Sequence, residues 1–204
     1  MEIGLSAMTA LSMLTIFQTG PGESEVTVPE ADVAGVVHAL GKEAVELCRP
    51  MTFDSRVVMR RFEQTHHWPR FINPRASEDY APDVVSAEGF SAIKVLSKGG
   101  KGWGRVDVQI SDGVRKTPDA PRQRASCAVT IVPLDTVDAM EILWGVYPGQ
   151  LNRIKVDRDE GHDQRTTVWT ISAEDADTTE IVEARKPVAS SYVLSHSLTR
   201  TEAR

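Results

Sequence analysis

Apolar residues recur at helical spacing in the first third of the chain. Between residues 31 and 48 they fall three or four positions apart, which predicts an amphipathic helix that Pro50 stops. Thr52 or Asp54 can cap a second helix, and the hydrophobic spacing continues until Pro69. Its predicted buried side carries Val57, Val58 and Phe62.

The pattern then changes to strict alternation. After an irregular connection over residues 73–84, residues 93–97 and 105–111 flank the glycine-rich segment Gly99–Gly104, which predicts a hairpin. In residues 125–132, Cys127 lies on one side with Val129 and Ile131. The side chains predicted to face inward in the second arm of the hairpin are Val106, Val108 and Ile110. Further alternating runs occupy residues 153–156, 167–171, 181–185 and 192–199.

One more helix interrupts the alternating runs. Asp135 can cap it, Val137, Met140 and Trp144 form its apolar stripe, and Gly145 with Pro148 ends it. The order of elements predicts an α+β fold, in which a largely antiparallel sheet carries about three helices on one face. Residues 31–204 are predicted to form this single domain.

The amino-terminal segment is apolar and uncharged from Ile3 to Phe17. A helix of about 15 residues rises about 22 Å, which is too short for a hydrocarbon core of about 30 Å. We therefore expect residues 1–22 to be a signal peptide or a first helix, although Glu2 stands where a leader has a basic residue. Residues 23–30 are predicted to be a linker.

Composition narrows the function classes only slightly. The chain has 204 residues and a formal net charge of −6, which disfavours dedicated nucleic-acid binding. Cys48 and Cys127 are its two cysteines. Two interpretations are open: a disulfide that clamps the first helix to the sheet and persists in an oxidising compartment, or two separate buried thiols.

Functional atom types concentrate around the end of the second predicted helix. A basic and aromatic docking surface is predicted there from Arg60, Arg61, His66, His67, Trp68 and Arg70. Glu63 and His66 form half of a Glu-x-x-His metal motif, but the sequence has no second copy, so no metal and no cofactor is predicted.

Other candidate motifs fail on spacing. The acidic run around Gly161 has its glycine and glutamate at the wrong positions for a calcium loop, and a strand follows the glycines around Lys101 where a phosphate loop needs a helix. His196 lies between leucines on an alternating run and is predicted to be a hydrogen-bonded core residue.

Cys48, Trp103, Cys127 and the helix after Pro133, within the segment CAVTIVPLDTVDAMEILW, carry a resemblance to a known group. In these features the chain resembles small exported proteins of unassigned function from alphaproteobacteria. The resemblance implies a periplasmic location and a bridge between Cys48 and Cys127. It implies no activity.

The leading functional hypothesis is a non-catalytic binding or accessory protein of the cell envelope, periplasmic or secreted, with a protein partner and no membrane span. One alternative is a hydrolase-type enzyme that pairs His66 or His67 with a distant carboxylate. The other is an intracellular, cytoplasmic structural subunit that uses the acidic stretch 134–183 as an interface.

Overall fold

The structure is a computed structural model that describes residues 15–20, 23–27, 33–73, 84–98, 101–115, 121–159, 164–171, 177–188 and 190–201. Within these ranges the chain forms three helices and nine strands. The helices are α1 (Val33–Leu47), α2 (Ser55–Gln64) and α3 (Thr136–Val146). The strands are β1 (Thr15–Gly20), β2 (Glu23–Thr27), β3 (Val84–Lys98), β4 (Lys101–Arg115), β5 (Arg122–Val132), β6 (Asn152–Asp159), β7 (Gln164–Ile171), β8 (Thr178–Val188) and β9 (Ser191–Thr201).

All described strands belong to one sheet in the order β1-β2-β3-β4-β5-β9-β8-β7-β6. Neighbouring strands are antiparallel except for β2 and β3, which are parallel. The predicted α+β fold with a largely antiparallel sheet is therefore confirmed. After β5 the chain passes through α3 to β6 at the far edge of the sheet and returns through β7 and β8. The last strand, β9, therefore pairs with β5 in the middle of the sheet.

One face of the sheet forms the core. Residues that lie directly opposite each other on neighbouring strands have their side chains on the same face of the sheet. Six residues paired in this way form a row across the sheet, and each of them is 9% exposed or less. The row runs Phe90, Ile110, Cys127, His196, Val182, Trp169. Helix α1 packs on β4 and β5, α2 on β3 and β4, and α3 on β9, so the helices cover this face as predicted.

Helices α1 and α2 form where the hydrophobic spacing predicts them. Asp54 caps α2, and its side chain accepts a hydrogen bond from the backbone N–H of Arg56 at 2.9 Å. Asp112 on β4 accepts a second one from the N–H of Ser55 at 2.6 Å. Two carboxylates thus satisfy free donors in the first turn of α2, and one of them comes from the sheet.

Helix α3 is capped by Asp135 as predicted, but its apolar stripe faces elsewhere. Val137 is 73% exposed and Trp144 is 63% exposed. The residues that α3 buries are instead Ala139, Ile142, Leu143 and Val146. This helix carries two apolar stripes. The stripe that packs into the core is the one that continues into Tyr147, which is also buried.

The close packing of α1 on the sheet depends on Gly104. A Cβ atom at this position would lie 2.8 Å from the carbonyl oxygen of Val132 and 2.9 Å from Cγ2 of Val37. No side chain fits there without a backbone shift, so a glycine in β4 sets how near α1 can approach.

The amino-terminal region differs from the expectation. Residues 15–20 and 23–27 form strands β1 and β2, where the sequence predicts the end of a leader or helix and then a linker. Strand β2 pairs in parallel with β3, which gives this segment hydrogen-bonding partners that local sequence does not reveal. Residues 1–14 lie outside the described residues.

Candidate functional site

Cys48 and Cys127 form a disulfide that joins the end of α1 to the middle of β5. The sulfur atoms are 2.02 Å apart and the Cα atoms are 5.7 Å apart. This confirms the predicted bridge, and the interpretation as two separate thiols is wrong.

A buried hydrogen-bond network lies beside the disulfide. His196, which is 2% exposed, is bonded through Nε2 to Oε1 of Glu180 at 2.5 Å and through Nδ1 to the hydroxyl of Tyr147 at 2.9 Å. A carboxylate accepts, so Nε2 carries a proton, and in the neutral imidazole Nδ1 then accepts from the tyrosine hydroxyl. The prediction that His196 is a hydrogen-bonded core residue is confirmed, and its partners lie 49 and 16 residues away in sequence.

The surroundings of Tyr147 keep its hydroxyl protonated. Burial raises the pKa of the Tyr147 hydroxyl well above its usual range, with the Arg49 guanidinium opposing this and Glu180 reinforcing it. Arg49 lies over the tyrosine ring, with its Cζ atom 5.3 Å from the ring centroid. The space enclosed by the disulfide, Tyr147 and His196 has no volume for a water molecule, so these side chains pack as part of the core.

An open cleft lies on the other side of α3, where the sheet continues to β8 and β7. Its volume is about 230 Å³. Trp169, which is 6% exposed, lies on the sheet side, and Trp144, which is 63% exposed, lies on α3. The hydroxyls of Thr136 and Tyr192 bond each other at 2.6 Å within it. The cleft is lined by Thr136, Met140, Trp144, Thr167, Trp169, Ala184 and Tyr192.

The fold creates this cleft because the helices cover the core face unevenly. Helices α1 and α2 pack on β3, β4 and β5, and α3 packs on β9. The side of α3 that points away from α1 and α2 therefore faces Thr167 on β7 and Ala184 on β8 across an open gap. Among the residues that the structure describes, the lining combines apolar and aromatic surface with three hydroxyl groups and includes no charged side chain.

The predicted docking surface around the end of α2 is only partly a surface. Arg60, His66, His67 and Arg70 are exposed, and Arg61 is half-buried and donates to the carbonyl oxygen of Pro50. Burial lowers the pKa of the Arg61 guanidinium. The remaining member is Trp68, which is 7% exposed and packs edge-on against Phe62 with 5.3 Å between ring centroids.

Trp68 must therefore be removed from the predicted surface, because its ring completes the aromatic core beneath α2. It also lies under Lys94, whose Nζ is 5.4 Å from the ring centroid. Partner binding by the exposed arginines and histidines stays a prediction.

The two histidines proposed for a hydrolase lie away from the cleft. His66 has a left-handed backbone with φ 56°, and His67 approaches Glu43 with 3.2 Å between Nδ1 and Oε1. The imidazole of His67 is 66% exposed. An exposed histidine beside a single carboxylate does not form a pocket that shields a substrate from water. The hydrolase hypothesis stays a prediction.

Sequence reasoning missed the cleft because its residues come from four separate elements. The sequence places Met140 and Trp144 on the apolar stripe that α3 is expected to bury. However, α3 carries two apolar stripes, which is a signal that one of them faces something other than the core.

Within the described ranges, none of the helices has the length and apolar character needed to cross a bilayer. No family model, curated protein or solved structure matches this chain.

Proposed function

We propose that the protein is a non-catalytic binding protein of the cell envelope that holds a small, uncharged and largely apolar molecule in the cleft beside α3. The observation that carries the proposal is the described lining of the cleft, in which two tryptophans and a methionine accompany three hydroxyl groups and no charged side chain is present. Ligand sites in proteins are typically apolar concave surfaces with a few polar groups that fix orientation.

The size of the cleft indicates the size of the ligand. Its volume of about 230 Å³ lies just below the usual range for ligand pockets, about 300–1,000 Å³. It suits a small molecule, or one end of a longer molecule such as an acyl chain. Met140 adapts its shape readily and Trp144 offers a large exposed ring, so a bound apolar group removes hydrophobic surface from water.

The hydroxyl groups give the cleft a polar end. Thr136 and Tyr192 already bond each other, and each hydroxyl has remaining capacity to donate or accept. A ligand with a single hydroxyl or ester group at one end matches this arrangement. A carboxylate or an ammonium group does not, because burying a charge without a counter-charge is costly.

The same lining supports a non-catalytic role. Acid–base and nucleophilic catalysis use imidazole, carboxylate, thiolate or amine groups at the substrate, and the described residues of the cleft lining include none of these. His196 and Glu180 are engaged with Tyr147 and each other in the core.

The disulfide supports the periplasmic or secreted location, since such bonds persist in oxidising compartments. The net charge of −6 supports a role without nucleic acid. In an accessory role, the exposed groups Arg60, His66, His67 and Arg70 are available to an envelope protein partner.

Binding of an uncharged apolar fluorophore tests the proposal. We expect N-phenyl-1-naphthylamine to increase its fluorescence with the purified protein and to be displaced by a monoacylglycerol. Trp144→Ala is expected to weaken binding about tenfold, since large aromatic side chains dominate binding energies. Ala184→Phe is expected to abolish binding by filling the cleft.

Trp103→Ala is the matched control, because Trp103 is also exposed, at 53%, but does not line the cleft. It should leave binding unchanged. Absence of fluorophore binding by the wild-type protein, or equal binding by the wild-type and Ala184→Phe proteins, would overturn the assignment of the cleft.

A further inference from the structure

A second cluster of side chains lies on a different side of α3, against α1. A ring nitrogen of His38 on α1 and one carboxylate oxygen each from Asp138 and Glu141 on α3 all lie within 4.8 Å of one another. Asp138 and Glu141 are three positions apart and so share a side of their helix. That side is neither the core side nor the cleft side, so the cluster is separate from the cleft.

The packing of the two helices brings these residues together. Helices α1 and α3 are in direct contact. One turn beyond His38, the Lys42 side chain passes Gly145 of α3, where a Cβ atom would lie 3.8 Å from Cε of the lysine. The glycine leaves room for α1 to approach, and this approach holds the imidazole beside both carboxylates.

The imidazole lacks the partner that a desolvated nitrogen normally has. Nε2 of His38 is shielded from solvent and has no hydrogen-bond partner among the residues that the structure describes. Buried polar nitrogens are nearly always satisfied, and each exception needs an explanation. Among the described residues, neither Asp138 nor Glu141 has an ion-pair partner within 4.0 Å; the Lys42 ammonium group passes α3 one turn away, at Gly145. Two negative charges therefore lie beside the histidine without a cation in direct contact.

We propose that His38, Asp138 and Glu141 bind a divalent transition-metal ion, and that Zn²⁺ fits best. One imidazole and two carboxylates are ligand types that Zn²⁺ accepts, and three protein ligands leave a fourth position for water. The two carboxylates neutralise the charge of the ion. The imidazole selects against Mg²⁺ and Ca²⁺, which take oxygen ligands.

The present separation of the ligand atoms suits a site that closes on the ion. Zinc bonds of about 2.0–2.2 Å require ligand atoms about 3.5 Å apart, and the three ligand atoms here all lie within 4.8 Å of one another. Glu141 is exposed and can rotate inward. The ion would link α1, which the disulfide ties to the sheet, to α3, which forms one wall of the cleft.

Zinc titration of the full-length, metal-free protein against a chromogenic chelator tests this proposal. We expect one Zn²⁺ per chain, unaffected by millimolar Mg²⁺ or Ca²⁺, with a rise in Tm on binding. His38→Gln and Asp138→Asn are each expected to weaken binding about 100-fold, because each removes one of three ligands, and to lose the rise in Tm.

His67→Gln is the matched control, since His67 also lies beside a carboxylate, that of Glu43, but within the described part of the chain it has no third ligand. Thermal melting without metal verifies that each variant folds. Failure of the wild-type protein to compete with the chelator, or equal losses in the His38→Gln and His67→Gln proteins, would overturn the site. Neither outcome affects fluorophore binding in the cleft, so the two proposals are tested separately.

Discussion

Cys127 and His196 are directly opposed on β5 and β9, and each connects the sheet to the end of a different helix. Cys127 is bonded to Cys48, just after α1, while His196 is bonded to Tyr147, just after α3. Arg49 reinforces the junction, because it follows Cys48 and donates to the carbonyl oxygen of Val146 at 2.5 Å. The carboxyl ends of two helices are therefore anchored side by side on one row of the sheet.

Removing the disulfide is expected to lower the free energy of unfolding by about 4 kcal/mol, by the loss of loop-closure entropy over a sequence separation of 79 residues. Urea unfolding of the Cys48→Ala/Cys127→Ala protein, compared with wild type with and without reductant, measures this. Reductant should leave the double variant unchanged. An unfolding midpoint equal to that of oxidised wild type would contradict the prediction.

Tyr147→Phe is expected to destabilise the protein by about 1–3 kcal/mol at pH 7, because Nδ1 of His196 loses its only donor in a buried site. Burial raises the pKa of the Tyr147 hydroxyl, with Arg49 opposing this. In the unfolded chain a tyrosine ionises near pH 10. The folded protein keeps its proton there while the unfolded chain releases it, so wild-type stability falls as pH rises above about 10.

The phenylalanine variant lacks this linkage, so the stability gap between the two proteins should narrow above pH 10. Urea unfolding at pH 7, 9, 10 and 11 measures the gap. A gap that stays constant across this range would show that Tyr147 is not held protonated by the fold.

Lys94→Met is expected to stabilise the protein at neutral pH by about 1 kcal/mol or more, since it replaces a buried cation by an apolar side chain of similar size. Lys94 is 3% exposed and its ammonium group lies over the Trp68 ring. Burial lowers the pKa of Lys94, and the charge of Glu43 partly opposes this.

Because the folded pKa of Lys94 lies below the unfolded value of about 10.4, wild type gains stability as pH rises toward that value, and the advantage of Lys94→Met should shrink. Lys42→Met, at an exposed position on α1, serves as the control and should change stability by less than about 0.5 kcal/mol. A destabilised Lys94→Met protein would mean that the lysine makes a favourable contact that outweighs its burial.

Local sequence determined the elements, because hydrophobic periodicity and caps act over a few residues. It predicted α1, α2 and α3, a cap of α2 at Thr52 or Asp54 and of α3 at Asp135, the inward side of β4 and β5, and the α+β class. The resemblance to exported proteins also implied the bridge that the structure confirms. The burial of His196 followed from its position between leucines on an alternating strand.

Tertiary structure alone decided which of two stripes on α3 enters the core, that β9 pairs with β5, and that β1 and β2 join the sheet. The cleft, the Tyr147–His196–Glu180 network and the cluster of His38 with two carboxylates also form only in the tertiary structure. Each of these assembles residues from elements distant in sequence, so its existence depends on how helices and strands pack. The local sequence shows whether a residue is apolar or can bind a metal, but which groups it contacts depends on how its helix or strand packs.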